Sequence, residues 1–255
     1  MKFGLLISAF VFLLAGHLCA QQNPNEYQEE KPVLLRNEAS FGIVIHSSGF
    51  GIEGKRSFQQ TYKKKWLLET QLVGMKHPKE IKTINTRFEN PKSFIYGKMN
   101  TLSILRLAGG RQNILYGKAD RSGVEVRLNY LGGFSLGFAK PVYLLIDRRS
   151  GTNYSNGVLV EEKYDPNNVY QNNIENIAGR ASFTRGINEI KVYPGLFTKV
   201  GLNFEYAPFH EDIKSFEIGA ALDIYAKEIP MMAFTTNKQF FLSFYITLIY
   251  GHKWL

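Results

Sequence analysis

Residues 240–250, FFLSFYITLIY, carry the pattern that decides the fold. Every second residue from Phe240 to Tyr250 is apolar, while Ser243, Tyr245 and Thr247 lie between them. This alternation predicts an extended strand with one apolar face. The stretch is also about as long as a tilted strand needs to cross a bilayer, whereas strands of soluble proteins average about five or six residues.

The same alternation recurs along the chain. In residues 216–226, apolar side chains alternate with residues that include Glu217 and Asp223, and residues 196–206 alternate in the same way. A soluble β-sandwich alternates too. Strand length favours a closed transmembrane barrel over the sandwich. Aromatic residues near the strand ends also favour it, since they would form two interfacial girdles: Trp66, Tyr130, Phe134, Tyr143, Tyr206, Tyr225, Phe240, Tyr250 and Trp254.

Residues 1–20, MKFGLLISAFVFLLAGHLCA, are typical of a secretory signal peptide. Lys2 precedes an apolar run too short to span a bilayer as a helix, and the small residue Ala20 ends the stretch. The only cysteine, Cys19, would leave with the signal, so no disulfide would stabilise the mature chain. We therefore predict a signal peptide at 1–20, an N-terminal periplasmic segment at 21–38 and an outer-membrane β-barrel at 39–255.

The predicted fold is an all-β, transmembrane, antiparallel up-and-down barrel of about eight strands. The strands are expected at 40–57, 65–75, 98–108, 122–131, 134–146, 195–207, 213–226 and 239–250. Gly132 and Gly133 would form a tight periplasmic turn, which puts residues 76–97 on the periplasmic side and 147–194 outside the cell. If 40–57 is instead a hairpin broken near Ser48 and Gly49, the count rises to ten with a further strand near 112–116.

A barrel of this size has a lumen filled by side chains. Acids and bases on the strand faces opposite the apolar stripes can neutralise one another there. The predicted polar network of the lumen is Glu69, Glu125, Arg127, Lys199, Glu205, Glu217 and Asp223. A filled lumen argues against a general porin, and a buried catalytic or ligand site is the alternative interpretation of these residues.

The chain has a formal net charge of +9, which indicates an anionic partner. Nucleic acid is not expected for an exported barrel, whereas outer-membrane lipid and the phosphates of lipopolysaccharide are close at hand. Two basic stretches at strand ends are candidate lipopolysaccharide contacts: Lys63, Lys64, Lys65, Arg148 and Arg149. Solvated basic turns are the alternative interpretation.

The sequence indicates no catalytic residues, no cofactor and no metal. The histidines that remain after cleavage of the signal lack the spacing of a metal site. His46, which precedes Ser47 and Ser48, and His77 are the first candidates if the barrel is a lipid-modifying enzyme or a protease.

Several stretches of the mature chain resemble an uncharacterised outer-membrane β-barrel family of Bacteroidota. They are HPKE at 77–80, YGKMN at 96–100, LRLAGGRQ at 105–112, GGFSLGFAKPVYL at 132–144, KYDP at 163–166, YPGLFTKVGLNFEY at 193–206 and IPMMAFTTNKQFFLSFYITLIYG at 229–251. The resemblance implies an outer-membrane location and membership of an envelope system of that phylum, for example as an accessory subunit of a protein-insertion or secretion complex. It implies no catalytic residues.

The leading hypothesis is therefore a non-enzymatic barrel that offers its long connections as docking surfaces to other envelope proteins. An outer-membrane lipid-modifying enzyme or protease is the alternative, and a narrow channel is a third option.

Overall fold

The structure is a computed structural model that describes residues 37–88, 90–118, 123–148, 159–206 and 211–254. The strands in these ranges are β1 (Asn37–His46), β2 (Gly49–Thr61), β3 (Lys64–Met75), β4 (Lys82–Thr83), β5 (Phe94–Ile95), β6 (Asn100–Tyr116), β7 (Glu125–Pro141), β8 (Tyr143–Asp147), β9 (Leu159–Lys163), β10 (Ile177–Arg180), β11 (Lys191–Glu205), β12 (Asp212–Ile229) and β13 (Lys238–Trp254). No helix in the described ranges is long and apolar enough to cross a membrane.

Eight antiparallel strands close into a barrel in the order β1-β13-β12-β11-β7-β6-β3-β2. Strand β1 closes the ring, since it pairs with β2 on one side and with β13 on the other, from Asn37 opposite Trp254 to His46 opposite Tyr245. The eight-stranded up-and-down barrel predicted from the sequence is confirmed, and the ten-stranded alternative is wrong.

Two errors in the predicted strand boundaries leave the predicted number of strands unchanged. Residues 40–57 fall on two strands, β1 and β2, joined by a turn at Ser47 and Ser48. Conversely, Gly132 and Gly133 make no turn, because they lie inside the single strand β7. A glycine pair usually marks a turn, but here a Cβ on Gly133 would lie 2.0 Å from the carbonyl oxygen of Leu107 on the neighbouring strand, so the tight strand pairing requires the glycine.

The connections differ in length at the two ends of the barrel. We call one end the turn end; it holds the connections 62–63, 117–124 and 206–211. The other is the cap end, which holds 47–48, 76–99, 142–190 and 230–237. The prediction that 76–97 and 147–194 lie on opposite sides is therefore wrong, because β6 and β7 run between them and return the chain to the same end.

The predicted N-terminal boundary also shifts. Strand β1 begins at Asn37, so Asn37 and Glu38 belong to the barrel instead of to a periplasmic segment. The predicted signal peptide at 1–20 and the rest of the 21–38 segment lie outside the described residues.

The outer wall of the barrel is apolar. Outward-facing side chains such as Phe41, Ile43, Leu72, Leu107, Leu242, Phe244 and Leu248 are roughly half exposed or more. Of the residues predicted for the girdles, Tyr225 is wrong, because its side chain is 2% exposed inside the barrel. Tyr143 is wrong as well, since it begins β8 beyond the barrel strands. Phe134 faces outwards but lies in the middle of β7, opposite Leu107, so it belongs to neither girdle. The others are outward-facing and exposed near strand ends: Trp66, Tyr130, Tyr206, Phe240, Tyr250 and Trp254.

The cap end of the lumen is closed by an apolar cluster that we call the plug. It consists of Val73, Met75, Leu102, Ile104, Ala139, Tyr225, Ile229, Met231 and Met232. A folded cap lies at the same end, built from the described parts of the connections 76–99, 142–190 and 230–237, with sheets β10-β8-β9 and β4-β5. The cap has a core of its own, formed by Phe94, Leu144, Ile146, Tyr164, Ile177 and Ala233.

Candidate functional site

Below the plug, charged side chains occupy the lumen together with a second buried cluster of Val44, Leu67, Ala108, Leu131, Phe197, Ala221 and Tyr245. All seven residues predicted for the lumen network project inwards and are buried, except Glu125, which is partly buried. They fall into two groups along the barrel axis. Lys199, Glu69, Glu217 and Asp223 lie in the middle of the barrel, while Glu125, Arg127 and Glu205 lie at the turn end.

The central network is organised around the ammonium group of Lys199. Its Nζ lies 3.1 Å from Glu53, 2.9 Å from Glu69 and 3.1 Å from Glu217. The Nζ of Lys55 bridges the same acids, at 2.8 Å from Glu53 and 2.6 Å from Glu217. Two lysines thus neutralise most of the charge of three carboxylates that have no access to water.

Gln71 extends the central network towards the plug. Its Nε2 donates to Glu53 at 2.8 Å and to Glu69 at 2.7 Å, while its Oε1 accepts from Arg106 at 2.9 Å. Arg106 in turn makes two hydrogen bonds to Asp223, at 3.1 and 2.6 Å. This bidentate geometry is the strongest form of arginine–carboxylate pairing and fixes both side chains.

The turn-end network is built around Arg127. Its guanidinium contacts Glu205 at 2.5 Å and also pairs with Glu125. Glu38 accepts from Lys65, and Glu205 accepts from Lys253 at 2.6 Å. The two networks together hold seven carboxylates and seven basic groups: Glu38, Glu53, Glu69, Glu125, Glu205, Glu217 and Asp223, against Lys55, Lys65, Arg106, Lys118, Arg127, Lys199 and Lys253.

The sequence does not predict half of these residues. Glu53 and Lys55 lie on the hairpin that the alternation predicts as one strand, and Glu38 falls within the segment predicted to be periplasmic. Lys65 belongs to a lysine run that the sequence predicts to be on the surface. Strict alternation from Trp66 would have placed Lys65 on the inner face, since neighbouring residues of a strand face opposite sides.

Glycines on the inner wall make room for Tyr245. A Cβ on Gly201 would lie 2.2 Å from the hydroxyl oxygen of Tyr245, and one on Gly219 would lie 2.8 Å from it. In this space the hydroxyl donates to Glu217 at 2.7 Å, and the ring lies 4.6 Å from the Nζ of Lys199. Tyr245 therefore adds a neutral donor to the central network through Glu217 and a ring face beside Lys199.

Polar contacts join the separate connections that form the cap. The Nδ2 of Asn85 donates to the carbonyl oxygens of Ile174, Glu175 and Ile177 at 3.0–3.2 Å, which joins the connection 76–99 to the connection 142–190. Burial, together with the nearby Tyr96 and Asp165, raises the pKa of Tyr164 to about 12. The cap is thus a folded layer with a defined surface.

The residues predicted to contact lipopolysaccharide do not form one surface. Lys65 is buried in the lumen and paired with Glu38, so that part of the prediction is wrong. Lys63 and Lys64 lie at the turn end, whereas Arg148 lies in the cap at the other end of the barrel. The guanidinium of Arg148 makes two hydrogen bonds to Glu162, at 2.7 and 2.8 Å, which already neutralise its charge. Arg149 lies outside the described residues.

The two candidate histidines lie in separate local turns at the cap end. The Nδ1 of His46 accepts from the backbone N–H of Ser48 at 3.3 Å, and the Nδ1 of His77 accepts from that of Lys79 at 3.2 Å. Each histidine thus orders its own turn. No group of three or more metal-ligating side chains occurs within the described ranges.

Neither a protein-family model nor a curated protein matches the sequence. Among solved structures, the chain is similar to neisserial surface protein A (NspA), with a TM-score of 0.40 and 8% identity over 86% of this chain and 96% of that chain. It is also similar to Ail, the attachment invasion locus protein of Yersinia pestis, with a TM-score of 0.39 and 10% identity over 86% of this chain and 99% of that chain. The complex of Ail with the heparin analogue sucrose octasulfate gives a TM-score of 0.37 and 9% identity, over 86% and 97%.

The location of the barrel follows from its own surface. In water, an apolar stripe belongs inside and paired charges belong outside, and this barrel has the opposite arrangement. A closed barrel is also the one sheet architecture with no unpaired edge, which a bilayer requires. The chain is an integral outer-membrane β-barrel. Short turns at one end and long connections at the other are typical of such barrels, with the long connections outside the cell.

Proposed function

We propose that this barrel is a non-enzymatic accessory subunit of an envelope complex, and that its cap docks another envelope protein. The observation that carries the proposal is a folded cap with exposed apolar side chains above a filled lumen. The resemblance to barrels of Bacteroidota suggests that the complex serves protein insertion or secretion.

The filled lumen argues against transport. The two networks and the plug occupy the interior from the turn end to the cap end, and their charges are neutralised by one another. Opening a path would require breaking buried ion pairs, which costs several kcal/mol for each pair. A scaffold is the simplest use of such an interior.

The cap surface offers exposed apolar area, and part of its charge is paired within the cap. Four ion pairs are Arg87 with Glu175, Arg148 with Glu162, Lys163 with Glu189, and Arg185 with Glu161. By contrast, Ile81, Val169 and Phe183 are 74%, 84% and 76% exposed. Exposed large apolar groups rimmed by polar residues are typical of protein–protein contact sites.

Site-specific photo-crosslinking in native outer membranes tests the docking role. A crosslinker at Val169 or Phe183 should capture a defined protein, identified by mass spectrometry. The same group at the lipid-facing Leu248 is the matched control and should capture none. If the cap positions yield no protein under conditions in which the barrel is folded, the docking role is wrong.

Recording in planar bilayers tests the absence of transport. The purified barrel should show no steady conductance, because buried ion pairs and the plug occupy the lumen. Stable single-channel steps from the folded protein would replace the docking proposal with a narrow channel.

A further inference from the structure

The wall of the barrel is shorter at the β1–β2 hairpin than beside it. Strand β1 ends at His46, opposite Tyr245, and Ser47 donates its backbone N–H to the carbonyl oxygen of Phe244 at 2.9 Å. Strand β13 extends beyond this point to Lys238, paired with β12 on its other side. The ring of strands is therefore closed only as far as β1 reaches, and a notch opens above the hairpin at the cap end.

Residues 238–243 of β13 form one side of the notch. Successive residues of a strand with two antiparallel neighbours direct their backbone N–H and C=O groups to opposite neighbours. Because Phe244 bonds towards β1, the backbone groups of Leu242 and Phe240 point the same way, where β1 has already ended. Within the described ranges, residues 238–243 pair with no strand on this side. The edge thus presents backbone donors and acceptors at the spacing of a β-ladder.

This strand edge lies at the border of the lipid-facing wall. Phe240 and Tyr250 mark the ends of the membrane-crossing part of β13, and a tilted strand of this length rises about 25 Å, the height of the apolar band. Between them, Leu242 is 61% exposed on the outer wall. The hydrocarbon of a bilayer offers no hydrogen-bonding groups, so an open strand edge at this depth requires a partner that supplies them.

Segment 76–80, which follows β3, forms the other side of the notch. Lys76 donates its backbone N–H to the carbonyl oxygen of Ser48 at 2.7 Å, so the segment begins beside the β1–β2 turn. His77 borders a small cavity together with Phe241, whose side chain faces the lumen. The segment thus packs against the inner face of β13, and it makes no backbone hydrogen bond to the edge of that strand.

The notch is surrounded by basic side chains. They are Lys76, Lys79 and Lys238, and all three are exposed. Burial, followed by the charges of Lys238 and Lys79, lowers the pKa of His77, so both ammonium groups lie near this imidazole. Within the described part of the chain, none of the three lysines has a carboxylate within ion-pair distance, since Glu80 is paired with Lys98 at 2.5 Å. The notch therefore offers positive charge beside an open strand edge.

We propose that the notch binds an extended segment of a partner protein, which adds a strand to the edge of β13. The open backbone groups require a strand, and the outward-facing Phe240 and Leu242 favour apolar residues at its alternate positions. The surrounding lysines favour acidic residues beside that strand. A second copy of the barrel would bring the same lysines to the notch, so repulsion between like charges disfavours it as the occupant. This inference rests on the proposed docking role and gives it a binding mode and a partner chemistry.

Amide hydrogen exchange of the folded barrel tests whether the strand edge is open. NMR in detergent micelles should show the amides of Phe240 and Leu242 exchanging at least about tenfold faster than those of Phe241 and Ser243, which bond to β12. The comparison within one segment separates an open edge from fraying of the whole strand end. Equal exchange at all four positions, whether fast or slow, would overturn the proposal.

Photo-crosslinking in native outer membranes identifies the occupant. p-Benzoylphenylalanine in place of Phe240 should capture a protein, and tandem mass spectrometry should place the crosslink in a segment with alternate apolar residues and a neighbouring acidic residue. Phe138 is the matched control position and should capture none, because it faces outwards at the cap end on a strand paired on both sides. Capture of lipid A alone, or of another copy of the barrel, would overturn the proposal. Capture from Val169 but not from Phe240 would leave the docking role intact and refute the notch as its site.

A proline on the edge tests the backbone pairing. Leu242→Pro removes an N–H that points into the notch and keeps the bonds of β13 to β12, so the barrel should fold, as its heat-modifiable migration on SDS gels would show. Capture from Phe240 should fall at least about tenfold, because the added strand loses a ladder bond and meets the proline ring. Unchanged capture from the folded variant would refute strand addition.

Charge reversal tests the partner chemistry without touching the backbone. K76E/K238E should weaken capture from Phe240 by about tenfold, since acidic residues of the partner would then meet like charges. K191E/K214E changes two lysines of β11 and β12 away from the notch and should leave capture unchanged. Equal capture by the two double variants would refute an acidic partner segment.

Discussion

The two halves of the lumen solve the same packing problem with opposite chemistry. The plug fills the cap end with Leu102, Ile104 and other apolar side chains, as the core of a soluble protein would. The central and turn-end networks fill much of the rest with paired charges, which pack against a second buried cluster that includes Leu67, Leu131 and Phe197. The lesson is that the interior of a barrel in lipid need not be apolar, because the outer wall already provides the apolar surface that favours folding in the membrane. The interior only has to be filled and electrically satisfied.

The largest loss of stability should follow from removal of one cation of the central network. Among the described residues, Lys199→Met leaves Glu53, Glu69 and Glu217 with only Lys55 within ion-pair distance, so the unfolding free energy should fall by about 3–5 kcal/mol. Urea titration of the barrel folded in phospholipid vesicles measures this. Lys214→Met, on the outer wall, is the control and should change stability by less than about 0.5 kcal/mol. A loss below about 1 kcal/mol for Lys199→Met would show that the acids find other partners.

A truncation in the plug should cost somewhat less. Leu102 is 0% exposed, so Leu102→Ala should leave a cavity and lower the unfolding free energy by about 3 kcal/mol. Leu107 faces outwards on the same strand and is 50% exposed. Since lipid can fill the space left there, Leu107→Ala should cost less than about 1 kcal/mol. Equal losses for the two variants would mean that the plug is not packed as a core.

Removing one hydrogen bond from the central network should have a smaller effect. Tyr245→Phe takes away the hydroxyl that donates to Glu217 at 2.7 Å and keeps the ring beside Lys199. The expected loss is about 1.5 kcal/mol, typical of a bond to a charged group. Tyr250→Phe on the outer wall is the matched control in the same urea titration. An unchanged unfolding free energy for Tyr245→Phe would show that Lys55, Lys199 and Asn129, which donates to Glu217 at 2.7 Å, satisfy this carboxylate without the hydroxyl.

The smallest effect concerns His77, which borders a small cavity beside the plug together with Met231 and Phe241. Burial, followed by the nearby Lys238, lowers the pKa of His77 below its ordinary value of 6.5. A histidine whose pKa is lower in the folded state disfavours folding when protonated, so this contribution to stability is lost as the pH falls through the unfolded pKa. NMR titration of His77 in the folded barrel should give a lower midpoint than titration of the same histidine in a 76–80 peptide. Lys238→Gln should raise the midpoint in the barrel, whereas Lys227→Gln should not. A midpoint equal to that of the peptide would show that the packing at the cap end does not desolvate His77.

The sequence predicts the outer wall well and the connections poorly. Alternation in 240–250 is a property of single strands, and it correctly gives β13 and its lipid-facing side. Which strands a connection joins depends on pairing, and Gly132 and Gly133 look like a turn until the backbone of β6 lies against them. The identity of the ion pairs is also beyond sequence analysis, since Lys55 and Glu217 meet across the lumen from strands that are not neighbours. The cap could not be foreseen, because its contacts join connections far apart in the chain, as Asn85 and Ile174 do.

The pairing of β1 with β13 along its full length has a consequence for biogenesis. Because β1 pairs with β13, the ring cannot close until β13 has been synthesised and exported. Until then, the unpaired strand edges and the apolar strand faces are exposed in the periplasm, where chaperones must prevent aggregation between copies of the chain. Deleting the final strand should therefore abolish closure, even though the other seven strands are intact.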